Sequence, residues 1–321
     1  MKLTDFTNSF RRNGSADDAH ENDLGLGDKI MTQGGRLINK DGSFNIIREG
    51  QSVWTIYQDL VELPWSRFLG LLTLIYGMVN AGFAFLFWLL GPESLSGMME
   101  KSSLEQFTHA FFFSIQTFTT VGYGSIIPQT LSADLLASFD AFIGLLAFAL
   151  ATGLLFARFA KPKAQIKFSK NAIIAPFGEG KSLQFRIVNL RSNKIINLEA
   201  QVTMTWLEEK GTERKRRFQQ LPLERSRVNL FPLNWTLVHP IDEKSPLFNK
   251  NAKDIKQIET EILVLIQGFD ETFSQNVHAN SSYTCAEIIS EVKFQQMYYE
   301  KEGKTILELD KLDDTAAVKS L

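Results

Sequence analysis

The 321-residue chain has a single cysteine, Cys285, which excludes an intramolecular disulfide framework and any thiolate zinc cluster. It also lacks an excess of either charge. The 34 basic and 36 acidic residues leave a net charge near −2, too small to draw the chain toward nucleic acid. No paired carboxylates, no nucleophile with a nearby base and no metal-ligand cluster stand out, so an enzyme is not expected, and no cofactor is called for. No basic start followed by an apolar run occurs near Met1, and no cleaved leader is expected. The mean hydropathy is close to neutral and suggests a soluble protein, but that average conceals a segregated chain. Of 26 phenylalanines, 14 fall between Phe68 and Phe159.

Residues 1–45 are polar and rich in Gly, Asp and Asn without a sustained period, and read as a disordered N-terminal segment. Phe68 to Gly91 carries no charge in 24 residues, which at 1.5 Å per residue is roughly 36 Å of helix against a bilayer core of about 30 Å. Leu135 to Ala157 is a second run of 23 residues with one acid, Asp140. Between them, Phe107 to Phe118 is too short to cross and is followed by Gly122 and Gly124, the pattern of a re-entrant helix ending in a loop. Irregular backbone at membrane depth is tolerated where protein buries it or where it lines a polar path.

Between Pro92 and Thr130 there is one lysine, Lys101, and no arginine, whereas Arg158, Lys161, Lys163, Lys167 and Lys170 follow the second run. The positive-inside rule therefore places both termini in the cytoplasm of a multi-pass protein of the plasma or inner membrane. Upstream, Val53, Trp54, Tyr57, Leu60 and Val61 recur at helical spacing before Pro64, which reads either as an interfacial helix over 46–64 or as a soluble amphipathic helix. From Ala164 the period changes to two. Leu183, Phe185 and Ile187, then Leu198, Ala200, Val202 and Met204, alternate with polar residues, and Ile262–Ile266 is a short apolar run. These predict an antiparallel β-sandwich over 161–309, with 310–321 as a loose tail.

The chemistry sits in Thr119-Thr120-Val121-Gly122-Tyr123-Gly124, directly after the short apolar helix. Stripping water from an ion in a low dielectric costs tens of kcal/mol unless several oxygens replace it together. Glycines permit backbone angles that aim successive carbonyls at one axis. Four such loops replace the hydration shell of K+, with Thr120, Val121, Gly122 and Tyr123 as the expected coordinating positions, and a homotetramer is required because one chain supplies one loop. The preceding helix ends with its negative dipole near that path, which favours a cation.

On these residues the chain resembles the inward-rectifier potassium channels, in their prokaryotic branch, from about Ile46 to about Leu309. The resemblance includes Phe156-Ala157-Arg158-Phe159-Ala160-Lys161-Pro162, Phe168-Ser169-Lys170-Asn171-Ala172, Arg186-Ile187-Val188-Asn189-Leu190-Arg191 and the string from His239 to Leu247. It implies a tetrameric pore of two transmembrane helices and a re-entrant pore helix over 65–160. It also implies an immunoglobulin-like all-β cytoplasmic domain that extends the path. The cysteine pair that flanks the pore loop in the eukaryotic branch is absent. The Glu–Arg pair behind that branch's filter is replaced by Gln116 with Ser125 and Ile126, leaving Gln116 and Asp140 as candidate filter supports; an outer water pocket is the alternative for Asp140. Phe148 stands where strong rectifiers carry an acid, so rectification by internal cations is expected to be weak.

The resemblance further implies a hydrophobic gate at Phe156, with Phe148 on the same helix and Gly144 as a place to bend or to pack. Trp65, Arg67, Arg158, Lys161 and Lys163 then form a junction for anionic, phosphoinositide-like headgroups, or simply anchor the chain by the positive-inside rule. A poorly selective cation channel and a membrane-anchored binding module with a vestigial pore are the competing functions. Ala175–Ser182 matches a permissive phosphate-loop pattern, but the strand-like period after it predicts a hairpin turn. Arg214–Arg217 reads as a solvated hairpin among acids, and His239 and His278 as structural histidines.

Overall fold

The computed structural model describes residues 25–27, 29–30, 34–50, 55–98, 102–161, 164–211 and 213–318. They form two compact units, one within residues 50–161 and the other built from residues up to 49 together with those from 162 onward.

The first unit is helical: α1 (Ile56–Glu62), α2 (Trp65–Leu89), α3 (Ser103–Phe118) and α4 (Leu131–Ala160). Pro64 separates α1 from α2, because a ring with no N–H is tolerated at a helix start and not inside one. Ser102 opens α3 by donating its backbone N–H and its hydroxyl to the Glu105 carboxylate at 2.9 and 2.8 Å. Thr130 opens α4 by accepting the Ala133 N–H. The 25 residues of α2 and the 30 of α4 are long and apolar enough to cross a membrane. Both begin a few residues before the apolar runs that foretold them, α2 directly after Pro64 and α4 after the Thr130 cap.

Helices α2 and α3 pack through Phe83, Ala84, Phe87, Ala110 and Phe113, with the Phe87 and Phe113 rings edge to face at 5.0 Å. After α2, Leu95 bridges to Pro128, and Ser96 N–H donates to Ile127 O at 2.9 Å. The segment leading into α3 is thereby tied to the segment leaving the loop. Of the helix expected over 46–64, α1 is seen over seven residues and residues 46–50 are not helical; Gln51, Val53 and Trp54 lie outside the described residues.

The second unit is a β-sandwich. Its strands are β1 (Ile166–Phe168), β2 (Ala172–Phe177), β3 (Gly180–Asn189), β4 (Ile195–Lys210), β5 (Glu213–Gln220), β6 (Arg227–Leu230), β7 (Trp235–Ile241), β8 (Glu261–Asp270), β9 (Gln275–Thr284) and β10 (Ile288–Ser290), with a short helix α5 (Ala252–Gln257) before β8. One sheet runs β1-β3-β2-β10 with β7 on β3; the other runs β5-β4-β8-β9 with β6 on β4. Leu183, Phe185 and Ile187 of the first share one core with Ala200, Val202, Met204, Ile262, Val264 and Ile266 of the second, the residues whose period of two predicts strands.

Three expectations need correction. The sandwich is not wholly antiparallel, because β10 pairs with β2 in parallel. The C-terminal segment is not a loose tail through Ala317. Strand β14 (Thr315–Ala317) pairs with β11 (Val292–Phe294), the hairpin β12 (Tyr298–Lys301)–β13 (Lys304–Leu307) precedes it, and Leu312 is buried with Val188 and Met297. Nor is the polar N-terminal segment featureless throughout. Leu37 and Ile38 are buried against Phe218 and Leu263, and their N–H groups donate to the Glu261 carboxylate. Arg36 donates to Ser282 O at 2.6 Å and pairs with Glu287 at 3.1 Å. Lys40 sits over the Tyr283 ring, where burial pushes its amine down to about 8. The first 24 residues lie outside the described ones.

Candidate functional site

Helix α3 stops at Thr119, and the backbone then alternates in hand. Thr120, Gly122 and Gly124 have φ of +59°, +52° and +78°, while Thr119, Val121 and Tyr123 keep negative φ. An alternating backbone sends its N–H groups to one side and its carbonyls to the other. The N–H groups here face α3: Val121 and Gly122 donate to the Gln116 carbonyl at 2.9 and 3.3 Å, and Thr120 donates to Thr117 O at 3.0 Å. A Cβ on Gly122 or Gly124 would meet nothing within 4 Å. Glycine supplies two of the three left-handed positions without strain. Thr120, a β-branched residue, holds the third at a cost of about 1–3 kcal/mol, and such strain persists only where the surroundings impose it. Val121 and Tyr123 are exposed in the single chain.

Gln116 meets the loop through its backbone carbonyl, and the Thr119 hydroxyl is bound to Ile115 O at 2.7 Å. Behind the loop, α4 approaches so closely that a Cβ on Gly144 would lie 2.0 Å from Phe118 O. Gly144 is thus placed at a helix crossing, inside a helix that runs unbroken from Leu131 to Ala160. Asp140, one turn earlier on α4, is fully buried. Two further buried polar residues, Asn80 on α2 and Ser114 on α3, join it; the Ser114 hydroxyl donates to Asn80 Oδ1 at 3.0 Å. Neither was singled out in the sequence. For Asn80 the available signal was an amide inside the charge-free run of α2; Ser114, in a helix with several other polar residues, carried none.

At the other end of α4 the basic junction is already partnered. The Arg158 guanidinium donates to the carbonyls of Leu60, Val61 and Leu63, the last at 2.6 Å, and so caps the C-terminus of α1. It lies 4.7 Å over the Trp65 ring and 4.2 Å over the Phe68 ring, with Phe159 packed on Trp65 at 5.0 Å. Lys161 pairs with Glu62 at 2.8 Å. Arg67 is exposed, and Lys163 lies outside the described residues. Phe148 and Phe156 lie eight residues apart on one stripe of α4, each 73% exposed in the single chain.

The sandwich holds no second site among these signals. Ala175–Ser182 is the β2–β3 hairpin, closed by Gly178 at φ +56°. Arg214 and Arg217 pair with Glu209 and Glu208 across the β4–β5 ladder, while Arg216 is buried, so this hairpin is only partly solvated. His239 is buried between Pro222 O at 2.6 Å and Ser245 Oγ at 2.8 Å; burial lowers its pKa below the usual histidine range. His278 is exposed on β9. Among the described residues no group of acids, histidines and cysteines could hold a metal ion.

Residues 70–161 match an ion channel family, and residues 166–321 match the inward rectifier potassium channel C-terminal domain. The chain is 37% identical over 289 residues to the inward rectifier potassium channel Kirbac3.1 of Paramagnetospirillum magnetotacticum, a match covering 88% of this chain and 96% of that protein. It is 27% identical over 319 residues to G protein-activated inward rectifier potassium channel 4 of Mus musculus, covering 89% of this chain and 75% of that protein.

Proposed function

The chain belongs to the inward-rectifier potassium channel family, and from that premise we propose that four copies assemble around the 119–124 loops to conduct K+ passively. It is a membrane protein and a potassium channel, not an enzyme. The observation that carries the conduction site is the alternating backbone. With the N–H groups of Thr120, Val121 and Gly122 spent on Thr117 and Gln116, the loop is read as offering its carbonyls to the opposite side, an oxygen surface suited to a dehydrated cation. Coordination is assigned to Thr120, Val121, Gly122 and Tyr123.

The gate is assigned to Phe156, where four exposed rings would keep a narrow path dry, with Phe148 one layer above. An acid is lacking at Phe148, so block by internal polyamines is weak. Both termini lie in the cytoplasm, by the basic residues that follow α4, and the membrane is the plasma or inner membrane. Anionic headgroups act at the junction of Trp65, Arg67, Arg158, Lys161 and Lys163. Since Arg158 and Lys161 already hold the end of α1, a headgroup must share or displace those contacts, and it thereby acts on α1 and α4 together.

Barium-sensitive rubidium uptake into proteoliposomes of the full chain, repeated under sodium competition, tests this reading. Uptake blocked by barium and indifferent to sodium is expected, with a higher rate for Phe156→Ala. Comparable sodium flux would instead mark a poorly selective cation channel. Absence of flux from intact tetramers would mark a binding module.

A further inference from the structure

The carboxyl of Asp140 is the one acidic group in α4 beyond its first turn, where Asp134 stands exposed, and its surroundings set what it can do. Helices α3 and α4 meet where Gly144 touches the Phe118 backbone; one turn back on each helix stand Asp140 and Ser114, both fully buried. Both carboxyl oxygens are buried, and neither makes a bond of hydrogen-bond geometry; no ion pair reaches them among the described residues. An ionised carboxylate left this way in an apolar surround carries a penalty of several kcal/mol.

The direction of the neighbouring hydrogen bonds is fixed from the far end. Asn80 Nδ2 donates to Tyr76 O at 2.8 Å, which leaves Asn80 Oδ1 as an acceptor. Oδ1 takes the Ser114 hydroxyl proton at 3.0 Å. With its only proton committed, the Ser114 oxygen can offer Asp140 nothing but lone pairs. A carboxylate has no proton to give them, and a carboxylic acid has one.

We propose that Asp140 works as a neutral acid whose O–H donates to Ser114, completing a one-way chain from α4 through α3 to α2 that positions the pore helix behind the filter. This rests on the reading of residues 119–124 as the filter, and gives Asp140 a positioning role, with no contact to the ion. Ser114 lies one turn before Phe118, and Gln116, whose carbonyl takes the two loop N–H groups, stands between them. A tilt of α3 about this point is transmitted directly to the loop.

The test pairs infrared spectroscopy with rubidium flux on the reconstituted full chain. A protonated-carboxyl carbonyl band is expected in the wild type at neutral pH. It should be absent from Asp140→Asn and displaced in Ser114→Ala, where its acceptor is gone. Asp140→Asn, whose amide N–H can still donate to Ser114, should retain the preference for rubidium over sodium to within about two-fold, whereas Asp140→Leu should lose about ten-fold. A wild-type minus Asp140→Asn spectrum holding only carboxylate bands would overturn the neutral acid, whatever the flux. Unaltered selectivity in a tetrameric Asp140→Leu protein would overturn the positioning role, even with the acid band present. Loss of barium-sensitive flux from the wild type itself would instead strike the filter reading on which both rest.

Discussion

A glycine can be kept for the angles it permits or for the room it leaves, and Gly144 is of the second kind. Its backbone is helical, and the missing Cβ is what lets α4 lie against the last turn of α3; an alanine there would put carbon 2.0 Å from Phe118 O and 2.8 Å from Phe118 C and Cα. These are backbone atoms, which cannot turn aside as a flexible side chain does. The helices must part, at an overpacking cost of about 1–3 kcal/mol. Gly144→Ala is therefore expected to lower the thermal midpoint of the tetramer and weaken rubidium selectivity together, because α3 carries the loop. Gly153→Ala is the matched control: the same helix, with nothing within 4 Å of its Cβ. Equal thermal midpoints for the two variants would mean that the crossing is not tight in the assembled channel.

Among the elements, α1 depends most on help from outside. Seven residues are too few for a helix to persist alone in water, and none of its side chains is buried. Its last turn is held by the three carbonyl contacts of Arg158 and by the Lys161–Glu62 pair. Arg158→Leu should raise deuterium uptake across 56–63 at least ten-fold in lipid nanodiscs, consistent with the loss of about 1–2 kcal/mol of hydrogen bonding. Arg158→Lys, with one ammonium in place of a planar fork, should fall between the two. Unchanged uptake in Arg158→Leu would mean that lipid alone holds α1 in place.

This contact also marks where sequence reading stops. The two spans were legible because freedom from charge over 23 or 24 residues is a property of side chains alone, and the strands because Leu183, Phe185 and Ile187 keep a period of two. The acceptors of Arg158 are backbone carbonyls some 95 residues away, and every residue type carries a carbonyl. In sequence Arg158 therefore reads as a headgroup ligand or an anchor, and its hold on α1 goes unannounced. The docking of Leu37 and Ile38 escaped for a related reason: two apolar residues in a polar segment show no period, and their partners Phe218 and Leu263 lie far along the chain. The 119–124 loop was legible as a motif, while the turning of its N–H groups onto Gln116 depends on φ signs that only Gly122 and Gly124 advertise.

At the scale of the whole molecule, a single chain is visibly incomplete. Of the 30 residues of α4, only Ala133, Asp140 and Gly144 are buried, while Phe148, Phe156, Val121 and Tyr123 stand open. Lipid can cover the outward part of that apolar surface, but it cannot supply oxygens to a dehydrated ion. In the proposed filter the remaining oxygens come from equivalent loops of other copies, arranged by rotational symmetry. A filter of this kind fails as a unit, because one misdirected carbonyl ring breaks the path for every ion in single file. Coexpressing wild type with equal Gly122→Ala, whose Cβ burdens a residue at φ +52°, therefore gives a quantitative expectation. If one altered copy silences a tetramer, barium-sensitive flux falls to about one-sixteenth, the chance that random assembly draws four wild-type chains. A fall to about one-half would mean that each chain conducts alone, and a fall to about one-quarter that two chains complete the site; either result would remove the four-fold filter from this protein.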